Sequence, residues 1–329
     1  MRGFERAQWV PRDWRASRTI ADFTTSPLVP IQRGVLNESG PTQHNELQTS
    51  DKRGEARTMS LFIVRAADTR SNQSNVRYRE INIKDIQKNM EKHSDSKKYA
   101  KWSLENTATV LSKQFPGSHV FVIRPSRMTI SKHAVFSCFD NFVSGDTYGT
   151  PTFCPMYNAL RHLKDLITCC LEHVKTLKIG EDTDIYNIEV TNLSLMGFSK
   201  GCAVLNQFLY EFHHYDNDLN NDPNINNFIK LIKDMWWLDG GHNGPKNTWI
   251  TNEDILRSFA KLRINTHIHV TPYQMQDKHR PWIQMEEKSF NDTLQRMGVS
   301  VQQTLHFGDK ARSLSSHFNV LTDIRSNMQ

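Results

Sequence analysis

A disulfide framework is the first thing this chain of 329 residues gives no sign of. Its five cysteines, Cys138, Cys154, Cys169, Cys170 and Cys202, are odd in number and include no C-x-x-C pair or zinc spacing. They suit a reduced compartment, mostly as small buried hydrophobes. No run of about eighteen apolar residues occurs, so no transmembrane segment is expected. The nearest approach to a metal motif lies in residues 213–227, where nine of fifteen are Asn or Asp. There Asp216-Asn217-Asp218-Leu219-Asn220-Asn221-Asp222 has a calcium-loop spacing, but Asn221 stands where the turn needs glycine and Asn227 where the closing glutamate belongs. A surface loop is the better reading, and neither a metal nor a cofactor is expected. The formal charge is +6, with 19 Lys/Arg against 12 Asp/Glu in residues 1–101 and 22 against 23 in residues 102–329. A balanced body without a basic stripe or a recognised module makes nucleic acid an improbable partner.

What the chain does have is Gly197-Phe198-Ser199-Lys200-Gly201, a G-x-S-x-G between a strand-like and a helix-like run. Before it, Ile188 to Met196 mixes β-branched and apolar residues as a buried central strand would. After it, Val204, Leu205, Phe208, Leu209 and Phe212 recur at helical spacing. In a nucleophile elbow a serine sits on a sharp strand-to-helix turn, and the flanking glycines let neighbouring elements approach closely. The plain alternative is a glycine turn carrying an exposed serine.

Residues 1–79 lack a sustained apolar period and read as a disordered basic leader, with Arg2, Arg6, Arg12, Arg15 and Arg18 in a composition partly like a transit peptide. Met59 followed by Ser60-Leu61-Phe62-Ile63-Val64-Arg65 offers a second possible start of such a segment. The folded domain is expected over residues 80–329, where strand-like and helix-like stretches alternate as in parallel β-α-β units. Glu80 to Ile83 is a poor strand, a helix runs from Ser103 to Phe115, and Val120 to Ile123 is a buried strand. A long connection from Arg124 to Phe153 leads to an apolar helix face from Leu160 to Leu177. Beyond the elbow come strands at Met235 to Leu238, Ile264 to Val270 and Val299 to Phe307, with helices at Phe228 to Ile232, Glu253 to Leu262, Met285 to Met297 and Phe318 to Ile324. This is an α/β-hydrolase progression: a mostly parallel sheet flanked by helices, with ligands bound beyond the carboxyl ends of the strands.

A serine hydroxyl is a weak nucleophile until a base takes its proton, and the base needs a carboxylate to orient it. In the order Ser, acid, His, the expected set is Ser199, Asp277 and His317, with the backbone N–H of Lys200 as an oxyanion donor. Asp239, directly after a strand, is the rival acid, and His306, at the end of the last strand, the rival base. His242, in the glycine-rich exit Asp239 to Gly244, is expected to line the pocket mouth and face the cleft; a simple exit turn is the alternative.

Trp102 to Asn106, Phe139 to Val143, Gly197 to Cys202 with Leu205-Asn206-Gln207, Trp237 to His242 with Asn247-Thr248-Trp249, and His269 to Gln274 together resemble the chromosome 2 open reading frame 69 family over roughly residues 84–320. That resemblance implies a hydrolase-like domain and a mitochondrial address, and supplies no reaction. One departure stands out. Where the family has an apolar strand ending Phe-Pro-Gly-Asp, this chain has Asn82-Ile83-Lys84-Asp85, and that loop normally gives the second oxyanion N–H. Losing a donor costs on the order of 3 kcal/mol of transition-state stabilisation. Two function classes follow: a serine hydrolase acting on a small-molecule or acyl ester, thioester or amide, or a catalytically impaired hydrolase-derived scaffold or binding protein.

Overall fold

A computed structural model describes residues 58–63, 102, 104–115, 118–130, 135–176, 190, 192–217 and 222–324. Six parallel strands form its sheet, in the order β10-β9-β8-β7-β1-β2. These are β1 (Thr58–Ile63), β2 (Ser118–Ile123), β7 (Asn192–Phe198), β8 (Ile232–Leu238), β9 (Asn265–Val270) and β10 (Val301–Leu305). Parallel neighbours need crossover connections, and helices supply most of them. The helices are α1 (Leu104–Gln114), α2 (Ala159–Thr176), α3 (Cys202–Asn217), α4 (Pro223–Leu231), α5 (Glu253–Lys261), α6 (Pro272–Met275), α7 (Trp282–Arg296) and α8 (Leu314–Asn319). The molecule is thus mixed α/β, a parallel sheet covered by helices on both faces.

The period of two along each strand decides which face each residue meets. Leu193 and Leu195 of β7, with Met235 and Trp237 of β8, join Leu160 and Leu163 of α2, Phe208 and Phe212 of α3, Phe259 of α5 and Phe290 of α7 in the larger core. Met196 and Phe198, with Trp236 and Leu238, turn to the other face, against Leu104 and Leu111 of α1 and Phe318, Leu321 and Ile324 near the C-terminus. Because β7 and β8 are covered on both faces, their sequences are near-continuously apolar.

The sheet overturns the expected start of the domain. Thr58–Ile63, placed by composition in the leader and read there as a possible targeting start, is β1, hydrogen-bonded on one edge to β2 and on the other to β7. A six-residue strand with arginines close behind it carries too little apolar pattern to announce itself, and only its two partners complete its backbone hydrogen bonds. Its register sets Ile63 beside Gly197, at the end of the strand that leads into the elbow. The expected strand at Glu80 to Ile83 and the departure at Asn82 to Asp85 lie outside the described residues, as does the leader before Thr58.

The long connection after β2 also holds more than expected: two antiparallel hairpins, β3 (Arg127–Ile130) with β4 (Val135–Cys138) and β5 (Ser144–Gly145) with β6 (Pro151–Thr152). Arg127 ties them together, pairing with Asp140 at 2.8 Å and donating to the carbonyl of Thr147 at 2.8 Å. Two carboxylates of the calcium-like stretch have structural work instead. Asp222 caps α4 by accepting from Asn224 and Ile225 N–H, and Asp216 accepts from Ser258 and Lys261. Among the described residues no cluster fit for a metal ion occurs.

Candidate active site

The chain turns sharply between β7 and α3 through a 3-10 turn at Ser199–Gly201. Ser199 holds φ at 53°, in the left-handed region that an ordinary side chain avoids, as an elbow requires. A Cβ at Gly197 would stand 2.9 Å from the backbone of Gly201 and Cys202, so only glycine lets the strand end pass this close to the helix start. Ser199 is 1% exposed, so it is buried and not the exposed serine of a plain glycine turn. Over the same turn sits the β5–β6 hairpin: the Lys200 ammonium donates to the Tyr148 carbonyl and lies 5.2 Å from the Phe136 ring centroid.

Asp239 follows β8 directly, with its own φ at 46°. Its carboxylate accepts from Thr271 N–H at 2.8 Å, from the Thr271 hydroxyl at 2.7 Å and from His317 Nδ1 at 2.6 Å. The His317 and Asp239 side chains are both 0% exposed. A carboxylate only accepts, so Nδ1 carries the proton and Nε2 is the basic nitrogen of the neutral ring. The His317 ring packs on Phe198, the residue before Ser199, at 4.7 Å between centroids. Gly241 N–H reaches the Ser199 carbonyl at 3.3 Å, which brings the exit loop of β8 against the elbow.

The structure therefore pairs His317 with Asp239, next to Phe198 of the elbow strand, and pairs Asp277 with Arg280 and Arg312 instead. Asp277 Oδ2 accepts from Arg280 Nε at 2.9 Å and from Arg312 Nη2 at 2.8 Å. Burial pushes the Asp277 carboxyl up, but the bonds from Arg280 and His279 and the charges of both arginines outweigh it and hold it below the usual carboxylate range. Sequence order alone could not separate the two aspartates. His317 also sits inside α8, although the expected last helix began only at Phe318, because Ser313 caps the helix by accepting from Ser316 N–H.

The other histidines are occupied elsewhere. His306 Nδ1 meets Asp323 Oδ2 at 3.0 Å and its Nε2 meets His269 Nδ1 at 2.7 Å, a separate buried chain across β9 and β10. His242 accepts from Gly244 N–H through Nδ1 at 2.9 Å and donates through Nε2 to the Asn247 carbonyl at 3.1 Å. With both nitrogens engaged it organises its own loop. Burial is the main reason its pKa falls to about 4, with Lys200 and Arg280 adding to the effect.

Three kinds of residue at the site escaped sequence reasoning. Thr271 is one, although a threonine before Pro272 is a helix-cap signal that marks the end of β9. The loop anchors are another. Glu286 accepts from the N–H groups of Asn247, Thr248 and Trp249, and Glu211 from those of Tyr157, Ala159 and Leu160. Arg280 and Arg312 are the third, and no local pattern distinguishes them from other surface arginines.

A sequence profile of the C2orf69 family matches residues 55–183 and 172–300 of the chain. The mouse mitochondrial protein C2orf69 homolog is 32% identical, with 88% of this chain and 85% of that protein covered. Human mitochondrial protein C2orf69 is 36% identical over 70% of this chain and 69% of its own length. The zebrafish homolog is 35% identical over 73% and 70%.

Proposed function

The chain belongs to the C2orf69 family, and from that premise and the geometry of the elbow we propose that it is a mitochondrial serine hydrolase of α/β-hydrolase architecture, acting on an ester, thioester or amide. The observation that carries the reading is the 2.6 Å bond from His317 to Asp239, both wholly buried, beside a serine in left-handed backbone. Such an ion-pairable couple is costly to bury, and hydrolysis gives it a use. Ser199 Oγ attacks the substrate carbonyl while His317 Nε2 takes its proton, and Asp239 stabilises the imidazolium that results. The oxyanion collects on the backbone N–H of Lys200, at the positive end of the sixteen-residue α3. Collapse expels the alcohol, thiol or amine, which receives the proton from His317, and water then releases the acyl group by the same steps in reverse.

Labelling by a fluorophosphonate probe tests this. Ser199 should be the modified residue, and Ser199→Ala should abolish the label. The second reading, a hydrolase-derived scaffold, is favoured by one observation, the 1% exposure of Ser199. Absence of labelling even at high probe concentration, with the fold intact, would decide for it.

A further inference from the structure

Beside the His317–Asp239 pair, α6 and the segment before α8 build a cation into place. The Thr271 hydroxyl that donates to Asp239 also accepts Tyr273 N–H at 3.1 Å, so Tyr273 is fixed to the same carboxylate as the base. One side of the Tyr273 ring packs on the His317 imidazole at 4.7 Å between centroids, and the Arg312 guanidinium lies 4.5 Å from the same ring. A single aromatic ring thus contacts both the proposed base and a permanent positive charge.

Arg312 is held from three directions. Its Nε donates to the Tyr273 carbonyl at 2.8 Å, its Nη2 to Asp277 at 2.8 Å, and its plane rests on the ring. Among the described residues Nη1 makes no hydrogen bond, and the side chain is 39% exposed. An unrestrained surface arginine keeps its full rotamer freedom, and here much of that freedom is already lost. The charge balance points the same way. Asp277, 5% exposed, faces two guanidiniums, and Arg280 already supplies it with an ion pair. The cluster keeps one positive charge in excess, on the partner that reaches solvent.

We infer that Arg312, set by Tyr273 and Asp277, is a specificity-determining residue that reads an anionic group, carboxylate or phosphate, on the substrate of the proposed hydrolase. The inference rests on the hydrolase reading for its substrate and on the arginine cluster for its anion. The Nη1 donors, on a guanidinium whose other two nitrogens are held, suit either oxyanion, and a preorganised donor loses little entropy on binding.

The test uses the full chain and two esters of equal chain length, mono-4-nitrophenyl glutarate, which carries a carboxylate, and neutral 4-nitrophenyl pentanoate. The glutarate ester should be preferred in kcat/KM by about fivefold, mainly through KM, the scale of a half-exposed ion pair. Arg312→Gln should bring the ratio close to one, and Arg312→Lys, which keeps the charge without the fork, should retain part of it. Lys310→Gln, a nearby cation that lies over Phe307, should keep the full preference. Ser199-dependent turnover with the same ratio in the parent and Arg312→Gln overturns the inference and leaves the hydrolase reading standing. If neither ester is turned over and no fluorophosphonate label forms, the hydrolase reading falls, and calorimetric titration with glutarate and with inorganic phosphate decides the rest. Binding that Arg312→Gln abolishes supports an anion site, and the ligand that binds identifies the group. No binding of either overturns it.

Discussion

Asp239, directly after β8, and Asp277, after α6, behave differently because of what surrounds them. Asp239 has no arginine in its hydrogen-bond shell and spends one oxygen on His317, whereas Asp277 is enclosed by Arg280 and Arg312. Asp239→Asn should slow fluorophosphonate labelling of Ser199 by about 10³ to 10⁴, since an amide can hold His317 in the wrong tautomer. Asp277→Asn should slow it at least about a hundredfold less than that. Its main effect should be on thermal unfolding, because removing the shared carboxylate leaves two guanidiniums facing each other, at a cost of about 3 kcal/mol. Equal losses of labelling in the two variants would return Asp277 to the site.

At the scale of elements, α3 does more than start at the elbow. Its buried polar residues hold the loops around it: Asn206 donates to the Thr248 carbonyl at 2.9 Å, Gln207 to the Cys154 carbonyl at 2.8 Å, and Glu211 receives three backbone N–H groups at the start of α2. The first turn of α2 has no acidic residue of its own, so a carboxylate from a neighbouring helix serves as its cap. Glu211→Ala should cost about 3 kcal/mol through the orphaned donors, a fall of roughly 6 to 12 °C in Tm for a domain of this size. Lys200 joins the β5–β6 hairpin to the same turn through the Tyr148 carbonyl. Lys200→Met should therefore speed proteolytic cutting within residues 144–152. Unchanged cutting would mean that the hairpin is held by its other contacts, chiefly those of Arg127.

For the molecule as a whole, acid sensitivity follows from which groups are buried in their neutral form. Burial lowers His242 to about 4, and burial with the nearby charges of His306 and His267 lowers His269 to about 3, from an ordinary value near 6.5. Below pH 6.5 the unfolded chain takes up protons that the folded chain refuses. Each histidine therefore removes about 1.4 kcal/mol of stability per pH unit on acidification, until its folded value is reached. Glu287 acts oppositely. Burial raises it to about 7 from 4.5, so its stabilisation is complete below pH 4.5 and fades as pH rises through 7. Between pH 6.5 and 4.5 these three groups together contribute a net loss of about 1.4 kcal/mol per unit, to which His162, also lowered by burial, adds. Glu287→Gln, which keeps an oxygen for the bond from Gln303, should steepen it to roughly twice that. Chemical denaturation at pH 7 and pH 5 measures both slopes, and an unchanged slope in the variant would refute the assignment to Glu287. A chain shortened to begin at Lys84 should lose cooperative unfolding, because β2 and β7 would face the gap left by β1.

Local pattern carried a large part of this molecule. The apolar runs of β7 and β8, the helical spacing of Leu160, Leu163 and Ile167, and the glycines around Ser199 place the central strands, the flanking helices and the elbow from sequence alone. These are statements about neighbours in the chain, where periodicity and steric freedom act directly. Pairing across the chain was decided elsewhere. β1 lacks a sequence signal strong enough to stand out, since its hydrogen bonds come from strands more than fifty residues away. The two hairpins after β2 are short, and Arg127, Asp140 and the carbonyl of Thr147 fix them by contacts spaced along the connection. His317 has two aspartates available in sequence order, and only the packing of β8, β9 and α8 brings Asp239 to it while Arg280 and Arg312 hold Asp277 away. Hydrogen bonds and ion pairs act over about 3 Å in space whatever the separation in sequence, and that distance is set by tertiary structure.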